Sequence, residues 1–146
     1  MVDEWGRAQL IAGGFRHVVV EIAAYDGPRA GLVDDGGDLY YFDCPRWAVD
    51  EYLVWPAPVE AVALEREGWE IFVRWNRRYE SAPRSAGPHP GDGGVDARHD
   101  ELEGLLVPYR QAPADARRMV AEWRLDGRER YRVDGTDSWV RWDVTG

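Results

Sequence analysis

The stretch VEAVALEREGWEIFVRWNRRY, Val59 to Tyr79, decides how the chain is read. Trp69, Ile71, Val73 and Trp75 alternate in the manner of a strand, yet the whole stretch also repeats with a helical period. At about 100° per residue, Arg66, Arg77, Glu70, Ala63, Arg74, Glu67, Glu60 and Arg78 fall within a stripe about 120° wide. Leu64, Ile71, Trp75, Tyr79, Phe72, Trp69, Val62 and Val73 fill an arc near 200°. That sorting predicts a helix. Because the arc is wider than the ordinary stripe of about 100°, the helix is expected to lie deep against a sheet and a further element.

Upstream, Pro56-Ala57-Pro58 ends an extended region and places a proline near the helix start. His17 to Tyr25 is β-branched with period two, and Asp26-Gly27-Pro28 reads as a turn. Ala30–Val33 and Leu39–Cys44 flank Asp34-Asp35-Gly36-Gly37-Asp38 as a hairpin, and Tyr52–Trp55 adds a fourth short strand. Before these, Asp3 to Ala12 reads as a short helix with Asp3 as N-cap and Gly13-Gly14 as its stop.

Downstream, residues 81–98, SAPRSAGPHPGDGGVDAR, carry no apolar periodicity and are expected to form a flexible Pro/Gly-rich loop. His99–Leu106 predicts one or two helical turns. Three strands follow, Arg118–Leu125, Glu129–Val133 and Trp139–Val144, separated by Asp126-Gly127 and Asp134-Gly135. A three-residue loop Asp126-Gly127-Arg128 keeps Ala121, Trp123 and Leu125 on one face with Glu129, Tyr131 and Val133, and a four-residue loop then adds Val140, Trp142 and Val144. Arg130, Arg132, Trp139 and Arg141 are left outward as an Arg-rich ladder holding one tryptophan.

The expected architecture is a single α+β domain over residues 1–146. Antiparallel β meanders, about seven short strands in one sheet or a small open barrel, pack on the central amphipathic helix. A 45% hydrophobic share is enough for one core, and 12% aromatic residues exclude a disordered acidic tail.

Charge narrows the partners. The chain carries −9 at pH 7 and a pI near 4.8, which disfavours nucleic acid and anionic membrane surfaces. Eleven acids against four arginines place −7 of that charge in residues 1–60, whereas from Ala114 onward seven acids meet seven arginines. An acidic N-terminal surface and an Arg/Trp-rich C-terminal face predict a basic or oppositely charged protein partner, including a second copy of the chain. All 18 basic residues are arginine, which points to a GC-rich bacterial genome instead of to selection for bidentate recognition. One cysteine, an acidic N-terminus and no apolar run near the roughly 20 residues of a membrane span predict a cytoplasmic protein.

Two polar residues interrupt the apolar arc of the helix, Glu65 and Asn76, beside Trp69, Phe72 and Val62. Eleven positions apart, they lie about 16 Å from one another along a helix and cannot act on the same small atom. A carboxylate on an apolar face either has a partner or has a raised pKa suited to acid or base catalysis. One reading makes Glu65 the acid or base of a pocket walled by Trp69, Phe72 and Trp75; the other pairs it with an arginine or places it at a helix broken by Gly68. Trp139 among arginines reads either as an interface hot spot or as a cross-strand Trp–Arg stack.

No metal or cofactor is expected. Asp96-x-x-His99 has no second ligand pair, and the Asp34–Asp38 run lacks the alternating oxygens of a calcium loop. Cys44, among Asp43, Asp50 and Glu51, is expected to be a buried packing residue with its thiolate suppressed. No nucleophile elbow or phosphate-binding glycine loop occurs. Two functions of different class remain. The leading one is a binding or interaction domain using the acidic surface and the Arg/Trp face. The other is a small pocket enzyme, a cyclase, isomerase or hydrolase, on a mainly apolar metabolite with a carboxylate acid or base.

Overall fold

The computed structural model describes residues 5–46 and 50–144; the expected Asp3 cap and Trp47 lie outside them. The chain divides into two compact units, Met1–Ala57 with Ala112–Gly146, and Pro58–Gln111.

The first unit begins with α1 (Arg7–Ala12) and four strands, β1 (Arg16–Ala24), β2 (Pro28–Asp35), β3 (Asp38–Arg46) and β4 (Glu51–Pro56). It resumes with β5 (Arg117–Leu125), β6 (Tyr131–Arg132), β7 (Gly135–Thr136) and β8 (Ser138–Val144). Strands β1-β2-β3-β4-β5-β8 close into an antiparallel barrel. The β2–β3 connection is a two-residue turn in which Gly36 and Gly37 take φ of 65° and 101°, the geometry that matches strand twist. Asp34 Oδ1 accepts from the Gly37 N–H at 2.8 Å, so the acidic run is a hairpin tip.

The interior is filled by the strands' own side chains. Val18, Val33, Phe42, Cys44, Tyr52, Val54, Met119 and Val140 form the buried cluster, with Tyr40, Ala121, Trp123 and Trp142 packed against it. Phe42, Tyr52, Trp123 and Trp142 meet at ring-centroid distances of 5.4 to 6.2 Å, tilted or edge-on. Closure replaces the open sheet or open barrel of the sequence reading and leaves no exposed barrel edge.

The C-terminal meander differs from expectation. β5 pairs directly with β8, Leu125 opposite Ser138 and Trp123 opposite Val140, while residues 126–137 leave the barrel. The excursion folds on itself through Tyr131↔Thr136 and Arg132↔Gly135 and is closed at its base by Asp126 N–H donating to the Asp137 carbonyl at 3.0 Å. Val133 and Val144, expected in the core, are 48% and 62% exposed. The pairing of apolar faces across β5 and β8 is satisfied without a third strand, and Gly135 explains where the excursion goes: a Cβ there would lie 2.6 Å from the His17 ring, so only glycine lets β7 lie against β1.

Pairing of β1 with β2 is irregular. Val18 faces Val33 and Val20 faces Leu32, so one extra residue is inserted on β1 and the inward face switches parity. Beyond the bulge Glu21 faces Gly31, which itself pairs with the core residue Phe42.

The second unit holds α2 (Val59–Ser81), a 3-10 turn (Pro90–Asp92) and α3 (Ala97–Leu106). The helix is continuous through Gly68 and packs on α3 and the 3-10 turn, elements of its own unit. The Pro/Gly-rich stretch is pinned to it: Trp75 Nε1 donates to the Gly87 carbonyl at 3.2 Å, and the His89 ring lies 5.4 Å from Phe72 and 4.7 Å from Trp75. Asp96 caps α3 by accepting from the His99 N–H at 2.9 Å, so the Asp96-x-x-His99 spacing is a helix start. Among the described residues no helix is long and apolar enough to cross a membrane.

A Cβ at Gly31 would lie 2.1 Å from the Val20 carbonyl and 3.0 Å from the Phe42 ring. Gly31→Ala is expected to cost about 1–3 kcal/mol by overpacking, read by urea denaturation; an unchanged midpoint would show that the bulge can relax around a methyl group.

Candidate functional site

Glu65 is 2% exposed and takes a bidentate pair from Arg110, Nε at 2.8 Å and Nη2 at 2.7 Å. Arg110 also bonds Glu103. Breaking a buried pair of this kind costs about 3–5 kcal/mol, so Glu65 staples α2 to the segment after α3. Asn76 is buried and donates to Glu80 Oε1 at 3.0 Å. Trp69, Phe72, Trp75 and Tyr79 run as a ladder along α2 with centroids 5.1 to 6.2 Å apart. A crevice of about 230 Å³ on this unit is lined by Trp75, Ile71, Arg74 and Arg78 among others, but by neither Glu65, Trp69 nor Phe72. The helix face that suggested a catalytic pocket is packed, and its carboxylate is ion-paired.

The outward arginine ladder is likewise engaged. Trp139 does lie on the outer face of β8, but it is 2% exposed because α1 covers it: it packs with Leu10 and Phe15 and stacks on His17 at 4.8 Å. Its Nε1 donates to Asp126 Oδ2 at 3.0 Å. Arg132 is buried and pairs with Asp126 and Asp134, each at 3.3 Å. Arg141 bonds Glu122 at 2.6 Å and the Gly13 carbonyl at 3.0 Å. The exposed member is Arg130, whose guanidinium lies 4.9 Å from the Tyr131 ring centroid.

Arg130 borders a cleft of about 330 Å³ at one end of the barrel, lined also by Glu21, Pro28, Trp123, Leu125, Asp137 and Ser138. The β1 bulge brings Glu21 there from inside the barrel wall, Trp123 forms part of the floor, and the excursion supplies Arg130 and Asp137. Glu21 Oε1 accepts from the Tyr131 hydroxyl at 2.9 Å. Burial pushes the Glu21 carboxyl above its ordinary range despite that bond, and burial, followed by the nearby Asp126 charge, pushes Asp137 up as well. Tyr131 is also pushed up, first by burial and then by Glu21, so its hydroxyl keeps its proton. Cys44 is fully buried and its thiol is raised, chiefly by burial, in keeping with a packing role.

Such a cleft can bind and can exchange protons. Carboxyls with raised pKa values in a concave site with an aromatic wall are the usual signature of ligand or catalytic chemistry. Among the described residues no cluster of His, Cys, Asp and Glu is arranged to hold a metal ion. Unbroken alternation from Val18 puts Glu21 outside; only the bulge turns it in. The available signal was one acid inside the apolar run His17–Tyr25.

Fold and site together define a closed six-stranded antiparallel β-barrel with a polar cleft at its mouth, in a chain that also carries a helical unit. Comparison with known families, curated proteins and solved structures finds no match.

Because its folded-state pKa is raised, Glu21 stabilises the fold in its protonated form below its ordinary pKa of 4.5 and loses that contribution as pH rises through the folded value. Glu21→Gln is therefore expected to melt at a higher temperature than the wild type near about pH 7.5, with the difference closing near about pH 4. A lower melting temperature for the variant at neutral pH would show that the carboxylate is favourably held.

Proposed function

We propose that this protein binds a small, partly apolar molecule in the mouth cleft of its barrel. The observation that carries the reading is Glu21: a carboxyl turned inward by a bulge, engaged by a tyrosine hydroxyl and by no arginine, at the rim of an aromatic floor. Other enclosed acids are paired, Glu65 by Arg110 and Asp126 by Arg132. At about 330 Å³ the cleft sits at the small end of the range of about 300–1,000 Å³ for ligand pockets. Trp123, Leu125 and Pro28 give it an apolar part, and Glu21, Asp137 and Arg130 converge on it as polar groups that could fix a ligand's orientation.

Proton transfer is the chemistry such a site would add to binding, since a carboxyl with raised pKa suits general acid or base work near neutral pH. The carboxylate in that role is Glu21, in place of Glu65.

Saturation-transfer NMR against a library of small amines, acids and neutral aromatics tests the reading. Hits are expected on the wild type, with signals lost in Glu21→Leu and retained in Glu80→Gln, on the other unit. A library with no hits, or hits indifferent to Glu21, contradicts it.

A further inference from the structure

We infer that the mouth cleft is built for a small zwitterion, an α-amino acid or close analogue with an apolar side chain, its ammonium held by Glu21 and Asp137 and its carboxylate by Arg130. This rests on the reading of the cleft as a ligand site and names what enters it.

The cleft holds charge that the protein leaves unanswered. Around the barrel, acids and arginines that come close are joined: Arg132 to Asp126 and Asp134, Arg141 and Arg124 to Glu122, Arg29 to Asp50, Arg16 to Asp35. In the cleft they are not. Arg130 is near enough to lower the proton affinity of both Glu21 and Asp137, yet it makes no ion pair with either within 4.0 Å, and neither acid pairs with another arginine. Arg124, the other cation of the lining, is taken by Glu122 and the Trp123 carbonyl. One cation and two carboxyls held apart across a concave surface complement a molecule whose own opposite charges are held apart.

Simpler ligands fit less well. An amine without a carboxylate leaves Arg130 unanswered, and an acid without an amine brings a third negative group toward Glu21 and Asp137. Asp26, in the rim turn at φ of 53°, strengthens the bias toward a cation on that side. Trp123, Leu125 and Pro28 supply the apolar contact for a side chain. The raised proton affinity of both acids adds a dependence on pH: the ammonium is accepted by the ionised carboxyls, so binding strengthens as pH rises through their folded values and is lost as pH falls.

Titration calorimetry of the full chain with two matched series tests this: L-phenylalanine, phenethylamine and 3-phenylpropionate, and L-leucine, isopentylamine and 4-methylpentanoate. In at least one series the amino acid is expected to bind about tenfold or more tighter than either single-charge analogue. Arg130→Gln, at an exposed position, is expected to erase the preference over the amine, and Asp137→Asn to weaken amino acid and amine together. An amine or acid that binds as tightly as its amino acid in both series overturns the zwitterion and leaves the ligand site standing. The same holds if neither series binds while other NMR hits still depend on Glu21. Silence of both series together with an empty NMR screen overturns both.

Discussion

The irregular pairing of β1 with β2 is the constraint on which the rest of the barrel's chemistry depends. One inserted residue between Val18 and Val20 reverses which side chains face the interior, so that Val18 fills the core while Val20 pairs with the outward Leu32. Glu21 then turns inward opposite Gly31, the one residue type that fits within reach of the Val20 carbonyl and the Phe42 ring. Had the strand stayed regular, the carboxyl would point outward, away from the cleft. Bulges commonly re-aim a side chain at a barrel rim, and this one places an acid against an aromatic floor.

The other half of the cleft hangs on Asp126. Burial raises its proton affinity, but the Trp139 indole N–H, the Arg128 amide and Arg132 together overcome that and hold it ionised. Through these bonds Asp126 ties the base of the excursion to β8. His17 ties its far strand to β1: the Thr136 carbonyl, 2.7 Å from Nε2, can only accept, so Nε2 carries the proton, and the Thr136 hydroxyl donates to the Val18 carbonyl at 2.8 Å. Tyr131 and Asp137 are thus positioned by polar contacts on either side of β7, which is only two residues long. Trp139 serves this framework through its bond to Asp126, and its packing against Leu10 and Phe15 shields that bond from water.

Much of the fold was legible in residue patterns. The helix over Val59–Tyr79, the Gly36-Gly37 hairpin and the strands from His17 to Trp55 follow from periodicity and turn chemistry, which are local. The C-terminal order was not, because nothing local tells β5 to skip two short strands and pair with β8; both registers bury Trp123 and Trp142. Alternation placed Trp139 correctly on the outer face, but alternation states a side and not an exposure, and a six-residue helix from the other end of the unit's sequence covers it. Glu65 was visible as a polar residue in an apolar arc, whereas its partner, Arg110, is brought in only by the turn after α3. Glu21 was hidden by a single inserted residue.

A half-buried carboxyl left without an ion pair is a cost the fold carries at its mouth, where Asp137 and Arg130 are unpaired as well; sites that break the general rule in this way are where binding and catalysis are often found. The most direct test of this account is a ¹³C NMR titration of the Glu21 side-chain carboxyl in the free protein. A carboxyl delivered to the cleft by the bulge titrates with a midpoint above the ordinary value of 4.5, moving down when Tyr131 is kept and the cleft is opened to water. A midpoint at or below 4.5 would mean that Glu21 is solvated or ion-paired, and that the bulge does not deliver it to the cleft.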